Sequence, residues 1–157
     1  MGDVRAGKTR LTARLLEEAV ALGLSGEITV VDMAPETRVV EGRTIGGRIS
    51  EMAAAPLDVR YLTPPRVETP RLTATSPEEL LHLARLNVER ISPLLEAYTA
   101  TPTPILFIND ISIYLQAGSV EPLLHAAGRA DTFIANGYYG GFLSRDLGTG
   151  ISRRERE

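Results

Sequence analysis

The stretch Gly2-Asp3-Val4-Arg5-Ala6-Gly7-Lys8-Thr9-Arg10 runs without a break into Leu11-Thr12-Ala13-Arg14-Leu15-Leu16-Glu17-Glu18-Ala19-Val20-Ala21-Leu22-Gly23. Two glycines five apart, then Lys8 and Thr9, fix a G-x-x-x-x-G-K-[ST] pattern at the mouth of a helix predicted over residues 8–23. Each part has a chemical use. The glycines let the backbone wrap so that its N–H groups point inward at phosphate oxygens. Lys8 brings a compact charge to the β- and γ-phosphates, and the Thr9 hydroxyl suits Mg²⁺. The helix behind the loop aims its positive dipole end at the same anion. Leu11, Leu15, Ala19 and Leu22 recur at helical spacing and are expected to face the core, with Gly23 and Gly26 as the stop.

Downstream, the apolar pattern alternates between strands and helices. EITVVD (27–32), PILFIND (104–110) and ADTFIAN (130–136) are short apolar runs of the kind buried on both faces of a parallel sheet. DVRYL (58–62) reads as a fourth, shorter strand. Residues 33–56 read mostly as loop, with a short helix around Arg48 to Ala55, and the proline-rich 63–77 as an extended surface excursion. Ser76 as N-cap, Pro77 at the first helical position and Glu78 and Glu79 in the first turn start a helix. Ser92-Pro93 is expected to kink it or restart it. A further short helix spans roughly 119–128, and Ser152-Arg153-Arg154-Glu155 matches a capping box. The fold class is therefore α/β with a mostly parallel sheet.

Composition sets outer limits. The 157 residues suit one domain, 1–157. With Asp+Glu 20 against Lys+Arg 17 and a net charge of -3, bulk charge offers nothing to nucleic acid. There is no cysteine, which removes disulfides, thiolate metal sites and a thiol nucleophile together. No run reaches the length of a membrane span and the first ten residues are polar, so a cytoplasmic protein without membrane attachment is expected. Sixteen of the basic residues are arginine, and Lys8 is the single lysine.

On the 2–9 pattern and its helix, the chain resembles the P-loop NTPase superfamily, the pattern being that family's Walker A motif. The resemblance implies a three-layer P-loop NTPase fold with ATP and Mg²⁺ as ligands. ATP rather than GTP follows by default, because no N-K-x-D motif is present. Residues 2–10 would then hold the phosphates. In that family the motif hangs from the end of a central strand. No residues stand ahead of Gly2 to form one, so the first strand is expected to be missing and the chain truncated at both ends.

Asp110, after four apolar residues and Asn109, has the shape of a Walker B carboxylate that holds Mg²⁺ together with Thr9. Asp32 ends EITVVD in the same way. It could orient an acceptor or water, act as a general base, or be the true Mg²⁺ carboxylate. Asp3, inside the loop, is expected to face solvent. Arg145, in the glycine-rich YYGGFLSRDLGTG, is the first choice for neutralising transition-state charge, ahead of Arg5, Arg43 and Arg48. Asn136 could meet a substrate edge, and a tyrosine of Tyr138-Tyr139 could stack on a ring; turn and packing roles are the alternative. His82 and His125 have no partners at metal spacing.

Within the superfamily, the chain is similar to the adenosylcobinamide kinase group, whose strands read roughly D-x-L-T-x-x-L and S-N-E-x-G and precede R-x-R-D. Here the matching residues are Asp110 to Leu115 with Asn109 before them, Ala135-Asn136-Gly137 and Ser144-Arg145-Asp146. The group's guanylyl-accepting histidine has no counterpart, since residues 33–81 contain none. Three functions stay open at this point: a small-molecule kinase with an acceptor pocket built by residues 33–75, a nucleotide-switched ATPase acting on a protein partner, and a nucleotide-binding scaffold without turnover. The sequence is also compatible with a homo-oligomer.

Overall fold

In the computed structural model the described residues are 1–4, 6–40, 43–141, 143 and 145–155, with Val40, Arg43 and Thr44 described by backbone alone. In chain order the elements are α1 (Lys8–Ala21), β1 (Ile28–Asp32), β2 (Arg38–Val40), β3 (Arg43–Ile45), α2 (Ile49–Met52), β4 (Arg60–Leu62) and α3 (Pro70–Thr73). Then follow α4 (Pro77–Ala100), β5 (Ile105–Asn109), α5 (Ile111–Leu115), α6 (Glu121–Ala127), β6 (Thr132–Ala135) and α7 (Ile151–Arg154).

Four strands form an all-parallel sheet in the order β4-β1-β5-β6. Their residues point alternately to two cores, as the period of a strand requires. Val31, Leu106 and Ile108 pack with Ile91, Leu95 and Tyr98 of α4, Ile113 of α5 and Leu123 of α6. Ile28, Val30 and Phe107 pack on the opposite face with Ala13 and Leu16 of α1 and Ile49 of α2. Helices therefore cover both faces, an arrangement compatible with a three-layer α/β fold. The parallel register sets Asp32 beside Asn109 at one end of the sheet, so the carboxyl ends of β1 and β5 open on the same side.

Several elements differ from the sequence expectation. Helix α1 buries Thr12, Ala13 and Leu16, while Leu11 and Leu22 are 60% and 78% exposed. Leucine spacing and the buried stripe are offset on the cylinder, because small residues at 12 and 13 let the helix approach the sheet closely. Residues 33–56 contain the antiparallel hairpin β2–β3, too short for period-2 patterning to register. The stretch 63–77 is not a surface excursion. Val67, Glu68, Thr69, Pro70, Arg71 and Ala74 are buried, and Pro70 starts α3 at its first position. Pro93 neither ends nor restarts α4, which runs through it for 24 residues, held by Ile91, Leu95 and Tyr98 in the core on both sides. Helix α7 is capped by Gly150 in the left-handed region (φ 78°) rather than by Ser152. Among the described residues no helix is long and apolar enough to cross a membrane.

Candidate functional site

The glycine-rich loop sits beside the chain leaving β6. Gly2 bridges Tyr138 in parallel, and the Tyr139 amide donates to the Gly2 carbonyl at 3.0 Å. Gly7 takes φ 77°, a left-handed turn that a side chain would strain, and delivers the chain into α1. Among the described residues no side chain caps α1, a 14-residue helix whose first amides face the loop. Lys8 Nζ donates to the Gly2 and Asp3 carbonyls, both at 2.7 Å. Burial lowers its pKa, and the nearby Asp110 and Asp3 charges work in the other direction.

Asp3 does not face solvent freely. Its Oδ1 accepts from the Val4 amide at 2.7 Å and its Oδ2 from the Gly141 amide at 3.3 Å. It lies so close to Gly140 that a Cβ there would collide with the Asp3 carboxylate. The carboxylate thus ties the loop to the 140–141 turn, a role requiring a long-range contact that local sequence does not reveal. Arg5 lies outside the described residues.

Beneath the loop, a buried chain of hydrogen bonds crosses the sheet at its carboxyl end and takes one residue from each strand in turn. Tyr61 of β4 donates its hydroxyl to Asp32 Oδ2. Asn109 Nδ2 of β5 donates to Asp32 Oδ1 at 2.8 Å. Asn136, directly after β6, donates from Nδ2 to Asn109 Oδ1 at 2.7 Å and to Thr12 Oγ1 of α1 at 2.9 Å. Thr12 in turn donates to the Lys8 carbonyl at 3.0 Å. This rail fixes the height and rotation of α1, and so of Lys8, relative to the strand ends. The sequence reading missed both of its outer members, Tyr61 and Thr12, whose residue types carry no distinctive signal.

Asp32 is the hub of the rail. It is wholly buried and accepts also from the Ile49 amide at 2.6 Å and the Ala34 amide at 3.1 Å. Burial raises its pKa against the pull of these donors, and the paired Tyr61 hydroxyl is raised as well, by burial and by the Asp32 charge. Asn136 is equally engaged, since its Oδ1 accepts from the Asp110 amide at 3.2 Å.

A cavity of about 310 Å³ opens above the strand ends. One wall is the loop, with Val4, Ala6 to Arg10, Asp110 and Asn136. The facing wall comes from Ala34, Pro35, Ile45 to Gly47, Met52 and Thr69 to Leu72. Asp32 does not line it. Asp110 does, and among the described residues it is the one carboxylate that does. Its backbone is in the left-handed region (φ 59°), which aspartate tolerates better than most side chains, and it stands as the N-cap of α5. Its side chain accepts from Ser112 Oγ. Burial pushes its pKa up, while Ser112, Lys8 and Arg71 pull it down.

Arg145 is exposed and does not line the cavity. Arg71 of α3 does, and the sequence reading passed over it as part of a surface segment. It is 5% exposed, pairs with Glu155, and donates to the Leu143 carbonyl. Its guanidinium stands 5.5 Å from the centre of the Tyr138 ring, with Lys8 Nζ 5.9 Å from the same centre. Tyr138 is buried between these cations, whereas Tyr139 is 54% exposed. His82 and His125 are exposed helical residues. Among the described residues no group of three or more His, Cys, Asp or Glu gathers at metal-binding distance.

Fold and site together define an α/β chain with a lysine-bearing glycine loop and one carboxylate facing a cavity at the carboxyl ends of a parallel sheet. Comparison of the chain with models of known families, with characterised proteins and with solved structures finds no match.

Proposed function

We propose that the chain is a P-loop nucleotide-binding protein that takes Mg²⁺–ATP at residues 2–10 and transfers the γ-phosphate to a small molecule or to water. The observation that carries this reading is the pairing of Lys8 with the loop. Its ammonium is held on the Gly2 and Asp3 carbonyls, at the uncapped start of α1, with Asp110 lining the same cavity. A preorganised cation, helix amides that no described side chain caps, and a carboxylate at the cavity are the parts that phosphoryl transfer asks of a protein.

The residues present fit the ligands. The amides of Gly7, Lys8 and Thr9 would hold phosphate oxygens, and the Thr9 hydroxyl and Asp110 carboxylate would hold Mg²⁺. An ion with only these two protein ligands is in keeping with magnesium, which retains much of its water. When bound, Mg²⁺ supplies charge neutralisation on the phosphoryl oxygens. The protein's own share is positioning. Lys8 draws charge off the phosphates, and Arg71 replaces Arg145 as the arginine of the site. The rail from Tyr61 to Thr12 keeps α1 in register, which makes Asp32 a brace rather than the group that orients an acceptor. The wall from Ala34 to Leu72 is mostly apolar, which suits the acceptor pocket of a small-molecule kinase.

The test is calorimetric titration of ATP with and without Mg²⁺, followed by ADP formation in the presence and absence of small uncharged alcohols. Magnesium-dependent binding with alcohol-stimulated turnover supports the reading. Binding indifferent to magnesium, or none, refutes it.

A further inference from the structure

A second cavity, of about 390 Å³, lies away from the loop and is lined by Glu36, Arg38, Arg48, Pro65, Arg66 and Val67. Three guanidinium groups and one carboxylate make its walls positive. Arg48 is the inner one, with its side chain 13% exposed. It donates from Nη2 to the Pro64 carbonyl at 3.1 Å and approaches Glu36 only to 3.6 Å, a carboxylate that is itself 59% exposed. Its Nε is buried with no hydrogen-bond partner among the described residues. A shielded guanidinium with an unmet donor is costly, because each missing bond forfeits the desolvation already incurred.

Among the described residues, the acids near the cavity other than Glu36 are engaged elsewhere. Glu68 lies behind Arg66 and is shared: it meets Arg66 Nε at 2.7 Å and Arg90 Nη1 at 2.9 Å. Burial works to raise the Glu68 pKa, but Arg90 and Arg66 hold it below the ordinary carboxylate range. Glu51 is spent on the Thr37 amide and hydroxyl and on the Arg48 amide. Arg66 faces the cavity while both its Nε and its Nη2, at 2.7 and 3.1 Å, rest on Glu68, and its side chain is 66% exposed; Arg38 is exposed at the rim.

We infer that this cleft is an anion site for a small multivalent oxyanion, the phosphate or pyrophosphate end of a small molecule. Arginine forks match tetrahedral oxyanions with paired, charge-assisted hydrogen bonds, and the cavity's size excludes a large ligand. The site is independent of the loop at 2–9. The same two segments line both cavities, however: Pro35 and Thr69 face the loop's cavity, and Glu36 and Val67 face this one.

Inorganic pyrophosphate is the probe, titrated by calorimetry into the full chain carrying Lys8→Ala, so that the loop does not compete. The expected result is one bound pyrophosphate, weakened about tenfold or more by Arg48→Gln or by Arg66→Gln. Arg85→Gln, an exposed arginine on α4, should leave it unchanged. Should Arg48→Gln fail to fold through loss of its Pro64 bond, Arg38→Gln and Arg66→Gln carry the test. Absence of binding to the Lys8→Ala chain overturns the inference, as does an Arg85→Gln effect equal to that of Arg66→Gln, which would mean bulk charge. Undiminished two-site binding by the Lys8→Ala chain would instead count against the loop and leave the cleft standing.

Discussion

Strands β1 and β5 end alike in sequence, in Val30-Val31-Asp32 and in Phe107-Ile108-Asn109-Asp110, and lie side by side in the sheet. Their carboxylates nevertheless live in different surroundings. Asp32 is the last residue of its strand, sealed below the cavity with donors from Tyr61, Asn109, Ile49 and Ala34. Asp110 stands one residue beyond its strand in a left-handed turn, lines the cavity, and accepts from Ser112. One extra residue, Asn109, makes the difference: it takes the buried end position and hands Asp110 to the cavity. A carboxylate saturated by protein donors braces a structure, while one with spare acceptor capacity at a cavity is free to meet a ligand.

The largest expected effect tests the bracing side. Asp32→Ala strands four donors in the interior and should cost about 4 kcal/mol of stability, read as a drop in denaturation midpoint. A loss below about 1 kcal/mol would erase the contrast. Asp110→Asn should do the opposite. Removing a partly desolvated charge leaves stability at pH 7 equal or higher, while magnesium-dependent ATP binding falls about tenfold or more. If the two variants behave alike in both assays, the division of labour is wrong.

The pH dependence sharpens the same point. Burial raises the Asp110 pKa, so the folded state holds its proton at pH values where the unfolded chain has lost it. Its contribution to stability is therefore full below the unfolded pKa and is lost as pH rises through the folded one. As pH falls from neutral toward the carboxylate range, magnesium-dependent binding should weaken while this contribution to stability grows. Asp110→Asn should flatten both trends. The smallest effect is at the far end of the rail: Tyr61→Phe should cost about 1 kcal/mol and leave ATP affinity nearly unchanged.

How much of this was legible beforehand follows from the same contrast. Strands β1, β5 and β6 could be read because each is a short apolar run, although β6 is exposed to half-buried rather than buried on both faces, and the loop because its glycines, Lys8 and Thr9 are local in sequence. What stayed hidden depends on distant partners. Arg71 sat in a proline-rich stretch that composition alone assigns to the surface, and only its pairing with Glu155 and its place beside Tyr138 show it as a buried cation. Asp3 looked solvent-facing because Gly140 and Gly141 are far along the chain. Thr12 and Ala13 bury the helix face that the leucines suggested lay elsewhere, since close approach favours small residues over apolar ones.

The central claim is that Lys8 holds nucleotide phosphates, and it is tested most directly by the ATP affinity of the Lys8→Ala chain against the parent at equal magnesium. The account predicts a loss of about a hundredfold or more, with the thermal midpoint little changed because the lysine is partly exposed. Equal ATP affinity in the two chains would contradict it.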